Sequence, residues 1–168
     1  MTTAATDDRG ALGDRQTKLN VAGTAAFVIA VAVAIPFRDE RPAQITIGAV
    51  SMVLFAVGAG AALWAYVGAL ERSRTSEIGV ANLYLLTGRT APPPVKRTMT
   101  GLLVVQVALA FAGAIYGATG LRGSEVNALA FGILVPMFGI GMNGLWALRH
   151  GSFGPRIDKS VRPTNRKI

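Results

Sequence analysis

The segment Gly139-Ile140-Gly141-Met142-Asn143-Gly144 spells G-x-G-x-x-G, the spacing with which a glycine-rich turn cradles a pyrophosphate. That chemistry needs a strand leading into the glycines and a helix opening at them. Here the motif lies inside an uninterrupted apolar run, 126–148, with no place for the strand, and the nucleotide reading is discarded. Two carboxamides within such runs stand out next, Gln106 and Asn143. Each can donate and accept hydrogen bonds, so they could bond each other or meet a polar solute. The single histidine, His150, follows Arg149, and no acid or nucleophile is placed to work with it as an acid–base pair.

Absences narrow the chemistry further. The chain has no cysteine, which removes disulfides, thiolate catalysis and thiolate metal sites. One histidine cannot build a histidine metal site or paired haem ligation. No metal, cofactor or catalytic residue is therefore expected. The formal net charge of +8 resembles a nucleic-acid signature, but no binding fold accompanies it, and nucleic acid is not expected as a partner.

The elements that carry these residues follow from where charge is missing. Four stretches, 19–37, 42–70, 98–121 and 126–148, contain no Asp, Glu, Lys, Arg or His. A helix needs about 20 mostly apolar residues to cross the hydrocarbon core, so each stretch can span. Lipid leaves no partner for exposed backbone groups, and continuous apolar runs suit helices where barrel strands would alternate. The expected fold is all-α: an integral membrane four-helix bundle with spans 19–37, 45–70, 99–121 and 126–148. A polar arm, 1–18, precedes it and is expected to be disordered. The first span could be taken for a cleaved signal, with Ala32-Val33-Ala34 as the cleavage site. Its apolar core exceeds the usual 7–15 residues, so it is read as uncleaved.

Orientation comes from the basic residues. Arg9, Arg15 and Lys18 lie in the arm, and Arg72, Arg74, Arg89, Lys96 and Arg97 lie between spans two and three. Arg149, Arg156, Lys159, Arg162, Arg166 and Lys167 follow span four. Only Arg38, Arg41 and Arg122 fall in the opposite loops. Lys and Arg are retained on the cytoplasmic side, so both termini are expected inside a bacterial cell membrane. The tail 149–168 should rest on anionic lipid head groups through its six basic residues, each worth about 1 kcal/mol near such a surface.

Between spans two and three, in 71–98, Ser76 can cap a short helix over 77–87 that ends at Gly88. That helix either lies on the membrane surface or docks beneath the bundle. Pro92-Pro93-Pro94 is expected to form a stiff extended spacer into span three.

Within the spans, small residues recur every fourth position: Ala56 with Gly60, and Gly113 with Gly117. Such faces let helix backbones approach closely, within the bundle or against a partner. Pro136 would clash with the carbonyl of Gly132, so span four should kink there, with Gly139, Gly141 and Gly144 slimming the half that follows. Trp64, Tyr66 and Trp146 toward one side, and Phe37 and Tyr116 toward the other, are expected to form interfacial belts.

Ala/Gly/Val-rich spans joined by Arg- and Pro-bearing loops such as Gly88-Arg89-Thr90-Ala91-Pro92-Pro93-Pro94 resemble the uncharacterised four-span membrane proteins of actinobacteria. The likeness covers the whole chain in style, has no diagnostic motif and implies no activity. Intramembrane ionisable residues mark proton relays and ion pathways, and these runs hold none, which argues against a proton-coupled antiporter. An accessory, assembly or scaffold subunit of a larger membrane complex is the expected class. An oligomeric small transporter or channel using polar residues of spans three and four is the alternative, and a membrane-bound enzyme ranks last.

Overall fold

The structure, a computed structural model, describes residues 3–119 and 127–155, with side chains from Arg15 onward. Arg156, Lys159, Arg162, Arg166 and Lys167 of the basic tail lie outside the described residues. In chain order the elements are α1 (Thr3–Ala34), α2 (Arg41–Arg72), β1 (Ser76–Glu77), α3 (Val80–Tyr84), α4 (Pro93–Ala118), a 3-10 helix (Ala128–Leu134), α5 (Pro136–His150) and β2 (Gly154–Pro155). Four helical stretches are long and apolar enough to cross a membrane: Arg15–Ala34, Arg41–Arg72, Pro93–Ala118 and Ala128–His150.

Prolines punctuate these helices. Pro36 follows the end of α1, where it cannot donate to a continuing helix. Pro42 lies in the first turn of α2 and Pro93 and Pro94 open α4, positions where a missing N–H costs nothing and the fixed φ suits a helix. The triple proline is therefore not an extended spacer. Only Pro92 is extended, with ψ 148°, and its carbonyl takes the first helical bond from Lys96 N–H at 3.0 Å. Helix α1 also begins earlier than expected, running through most of 1–18. Ala4, Ala5, Leu12 and Arg15 are good helix formers, and a helix already formed extends at one bond per residue.

The fourth span is two helices rather than one kinked helix. Pro136 has no N–H to give Gly132, so the chain tightens: Val135 N–H donates to the Gly132 carbonyl at 3.0 Å, an i to i+3 bond. The 3-10 helix ends there and α5 restarts with Pro136 in its first turn. At the other end of the 3-10 helix Asn127 caps it by accepting from Ala130 N–H at 3.2 Å, while its Nδ2 donates to the Ala114 carbonyl at 2.9 Å.

Packing centres on α5, which contacts α1, α2, α3 and α4, and α1 in turn contacts α2 and α4. Helices α2 and α4 flank this pair without a substantial interface of their own. The core is Phe27, Ile47, Met99, Val135, Phe138, Met142 and Ala147, all buried. Trp146 is buried with them, its ring 5.6 Å from that of His150 and tilted by 41°, so it is a core residue and not part of an interfacial belt. Trp64, Tyr66, Phe37 and Tyr116 face outward.

The connection after α2 differs from the expected helix 77–87. Ser76 and Glu77 pair antiparallel with Pro155 and Gly154, which takes them out of any helix. Helix α3 is confined to Val80–Tyr84, packs against α5 and ends where Leu86 and Gly88 adopt positive φ of 53° and 64°. Arg72 donates to the Leu148 carbonyl and lies 5.3 Å over the Phe153 ring, fixing α2 to the segment after α5. At the opposite end Arg38 donates to the Thr119 carbonyl at 3.1 Å and lies over Tyr116.

Candidate functional site: a buried carboxamide network

The break at Pro136 creates the polar demand that this site answers. In a continuous helix Gly139 N–H would donate to the Val135 carbonyl, but Phe138 N–H takes that carbonyl at 2.8 Å. Gly139 N–H instead donates to Gln106 Oε1 at 3.1 Å. A side chain from α4 thus caps the restarted α5 at a fully buried position where no water reaches to substitute for it. The glycine at 139 lets the carboxamide come this close, because a Cβ there would lie 2.5 Å from Gln106 Oε1 and would push the side chain aside.

The other half of Gln106 ties the cap to α1. Its Nε2 donates to Thr24 Oγ1 at 2.7 Å and to Asn20 Oδ1 at 3.3 Å. Thr24 Oγ1 donates onward to the Asn20 carbonyl at 2.8 Å. Gln106 and Asn20 are 0% exposed and Thr24 4%. The result is a directed chain from Gly139 through Gln106 and Thr24 to the α1 backbone, joining three helices. Each bond polarises the next.

Gln106 and Asn143 do not bond each other, contrary to one expectation. Asn143 lies one turn beyond Gly139, and its Nδ2 donates to the Tyr84 carbonyl at 3.0 Å. Tyr84 closes that corner: its hydroxyl donates to the Ala62 carbonyl at 2.9 Å, and its ring lies where a side chain on Gly144 would be. Burial, with a smaller contribution from Tyr66, raises the Tyr84 phenol above its ordinary value of 10.0, so it stays a neutral donor at physiological pH.

The glycines read from the sequence have separate fates. A Cβ on Gly141 would collide with the Gly58 carbonyl, and one on Gly58 with the Phe138 backbone, so α2 and α5 touch backbone to backbone. A Cβ on Gly117 would strike the Asn127 side chain, whereas one on Gly113 would make ordinary contact with Leu129. Gly132 lies against Phe27 and Ala110. Ala56 is exposed and a Cβ on Gly60 would meet nothing within 4 Å, so that pair lies on an open face among the described residues. Arg149 is exposed at the end of α5.

Asn20, Thr24 and Gln16 were not legible as site residues from apolar runs alone. The signal that finds them is their i, i+4, i+8 spacing, which puts three polar side chains on one face of α1. Gly58, the partner of Gly141, is likewise one glycine among several on α2. Among the described residues no group of three or more His, Cys, Asp or Glu could hold a metal. Compared with known proteins, the chain matches no family model, no curated protein and no solved structure.

Proposed function

We propose that this chain is an accessory, assembly or scaffold subunit of a larger membrane complex: a four-helix bundle in the bacterial cell membrane with both termini cytoplasmic. It carries no catalytic residues and takes no cofactor. The observation that carries this reading is the use of Gln106. Its Oε1 accepts from Gly139 N–H, its Nε2 donates to Thr24 and Asn20, and it is fully buried. The polar residue best placed to line a transport path is thus engaged in holding three helices together. The excess of Lys and Arg in the arm, the 71–97 segment and the tail supports the orientation.

The outward faces of α2 and α4 are apolar, with Val53, Val57, Leu63, Val104, Phe111 and Ile115 exposed. They meet lipid or the partner subunits. Arg149 and the five basic residues after Pro155 contact anionic head groups.

Purification in mild detergent from native membranes, with a tag after Ile168, tests the reading. A stoichiometric membrane-protein partner is expected. A pure homo-oligomer would overturn it and turn attention to solute flux.

A further inference from the structure

Gln106 is fully satisfied, but the face of α1 that it meets is not. Asn20 keeps an Nδ2 without a hydrogen-bond partner, and Gln16, one turn nearer the end that bears Arg15 and Lys18, has neither amide atom bonded. On α5, Asn143 keeps an unbonded Oδ1. Gln16 is 5% exposed and the two asparagines 0%. Each lies at the Gln106 network or one helical turn from it. Gln106 joins Asn20 to Gly139, α1 packs directly on α5, and both Gln16 and Asn143 lie one turn further toward the basic end from those anchors. Arg72 bonded to the Leu148 carbonyl marks the same end on α2 and α5.

The chemistry of the set is specific. Gln16 Nε2 and Asn20 Nδ2 donate; Gln16 Oε1 and Asn143 Oδ1 accept; none is charged. Nothing here balances an ion, and buried polar atoms are ordinarily completed by a hydrogen-bonding partner. The fitting partner is small, uncharged, and both donates and accepts. In the other direction the polar face stops. Beyond Thr24 come Phe27, Val135 and Ile47, all buried and apolar, with the buried Ser51 hydroxyl of α2 one turn from Ile47.

We propose that Gln16, Asn20 and Asn143 form a dead-end site for small uncharged hydrogen-bonding molecules, water among them, reached from the end of the protein that carries Arg15 and Lys18. Entry requires α1 to part from α5 below the Gln106 cap, while the cap and the apolar layer above it stay closed. The site goes beyond the scaffold role and does not depend on it.

Because the chain has no cysteine, a single introduced thiol is an unambiguous reporter. Full-length Gln16→Cys, Asn20→Cys and Asn143→Cys would be treated in native membranes with methyl methanethiosulfonate, itself small and uncharged. The thiolate is the reacting species and forms only where water reaches it. Each should react at least about tenfold faster than Phe27→Cys, and faster than with the trimethylammonium analogue of the reagent. Rates as slow as Phe27→Cys at all three positions, with exposed Arg15→Cys reacting, would overturn the site. A fast Phe27→Cys would overturn its dead end. A measurement on the unaltered protein guards against misfolded variants: the side-chain amides of Asn20 and Asn143 should show magnetisation exchange with water. Its absence at both, with exchange at half-buried Asn82, would also overturn the proposal.

Discussion

Replacing Gln106 with leucine tests the carboxamide network at its centre. The two side chains are close in volume, so the change removes polar atoms and leaves little cavity. Gly139 N–H loses its acceptor and has no other, because the Val135 carbonyl is held by Phe138. Hydrogen bonds between transmembrane helices average about 0.6 kcal/mol, so the bonds to Gly139 and Thr24 together contribute a little over 1 kcal/mol. A buried donor left unpaired adds about 1–3 kcal/mol. Gln106→Leu should therefore cost about 2–4 kcal/mol in reversible unfolding, followed by circular dichroism as sodium dodecyl sulfate is raised in mixed micelles. Thr24→Val removes the acceptor for Gln106 Nε2 and the donor to the Asn20 carbonyl but leaves the cap, so it should cost about 1 kcal/mol. The double variant should cost less than the sum of the two, since both changes break the bond between Gln106 and Thr24. Phe111→Leu, on an outward face, should stay within about 0.5 kcal/mol of the parent. A Gln106→Leu protein within that same margin, or strict additivity with Thr24→Val, would refute the view that this side chain caps α5 and ties it to α1.

The glycine assignments separate by substitution. Gly58→Ala and Gly141→Ala should each lower stability by about 1–3 kcal/mol in the same titration, because a methyl group forces two backbones apart, while Gly60→Ala should be neutral or slightly stabilising. Within the Gly113/Gly117 pair, Gly117→Ala should lower the thermal midpoint in detergent by displacing Asn127 from its cap, and Gly113→Ala should leave it nearly unchanged. Burial raises the Tyr84 phenol above 10.0, so its contribution to stability is complete below that pH and is lost as pH rises through the raised value. Thermal stability should fall above about pH 10, and Tyr84→Phe should flatten that alkaline slope while losing the hydroxyl bond to Ala62 at all pH values.

The number of membrane-length helices was legible because lipid penalises charge over a length that a charge-free run reports directly. The details that failed depend on partners distant in sequence. Ser76 is a sound helix cap by local rules, yet Pro155 pairs with it from across the chain and confines α3 to five residues. Trp146 fits an interfacial belt by its position along span four, but its side chain points into the core, a matter of rotation that distance from a span end does not report. Pro92-Pro93-Pro94 reads as extended until one counts which of the three must donate; after Pro92, the two that follow are in the first turn and need not. Gln106 was visible as a polar residue in an apolar run. Its task was not, because the need it meets arises at Pro136, thirty positions on, once the helix restarts.

That restart also accounts for the glycine spacing in α5. Residues two apart on an α-helix point about 200° apart, and residues five apart about 140°. Gly139 therefore lies on one side of α5, against Gln106 of α4, while Gly141 and Gly144, three apart and about 60° from each other, share the opposite side, against Gly58 and Ala65 of α2, with the Tyr84 ring of α3 also beside Gly144. A helix packed on one face needs small residues along one stripe. A helix enclosed by others needs them on opposite sides, and a phosphate-binding spacing arises there from packing alone. The same enclosure makes a helix break tolerable at this position. The Gly139 N–H that it frees lies against another helix, and Gln106 supplies from α4 the acceptor that α5 could not supply for itself.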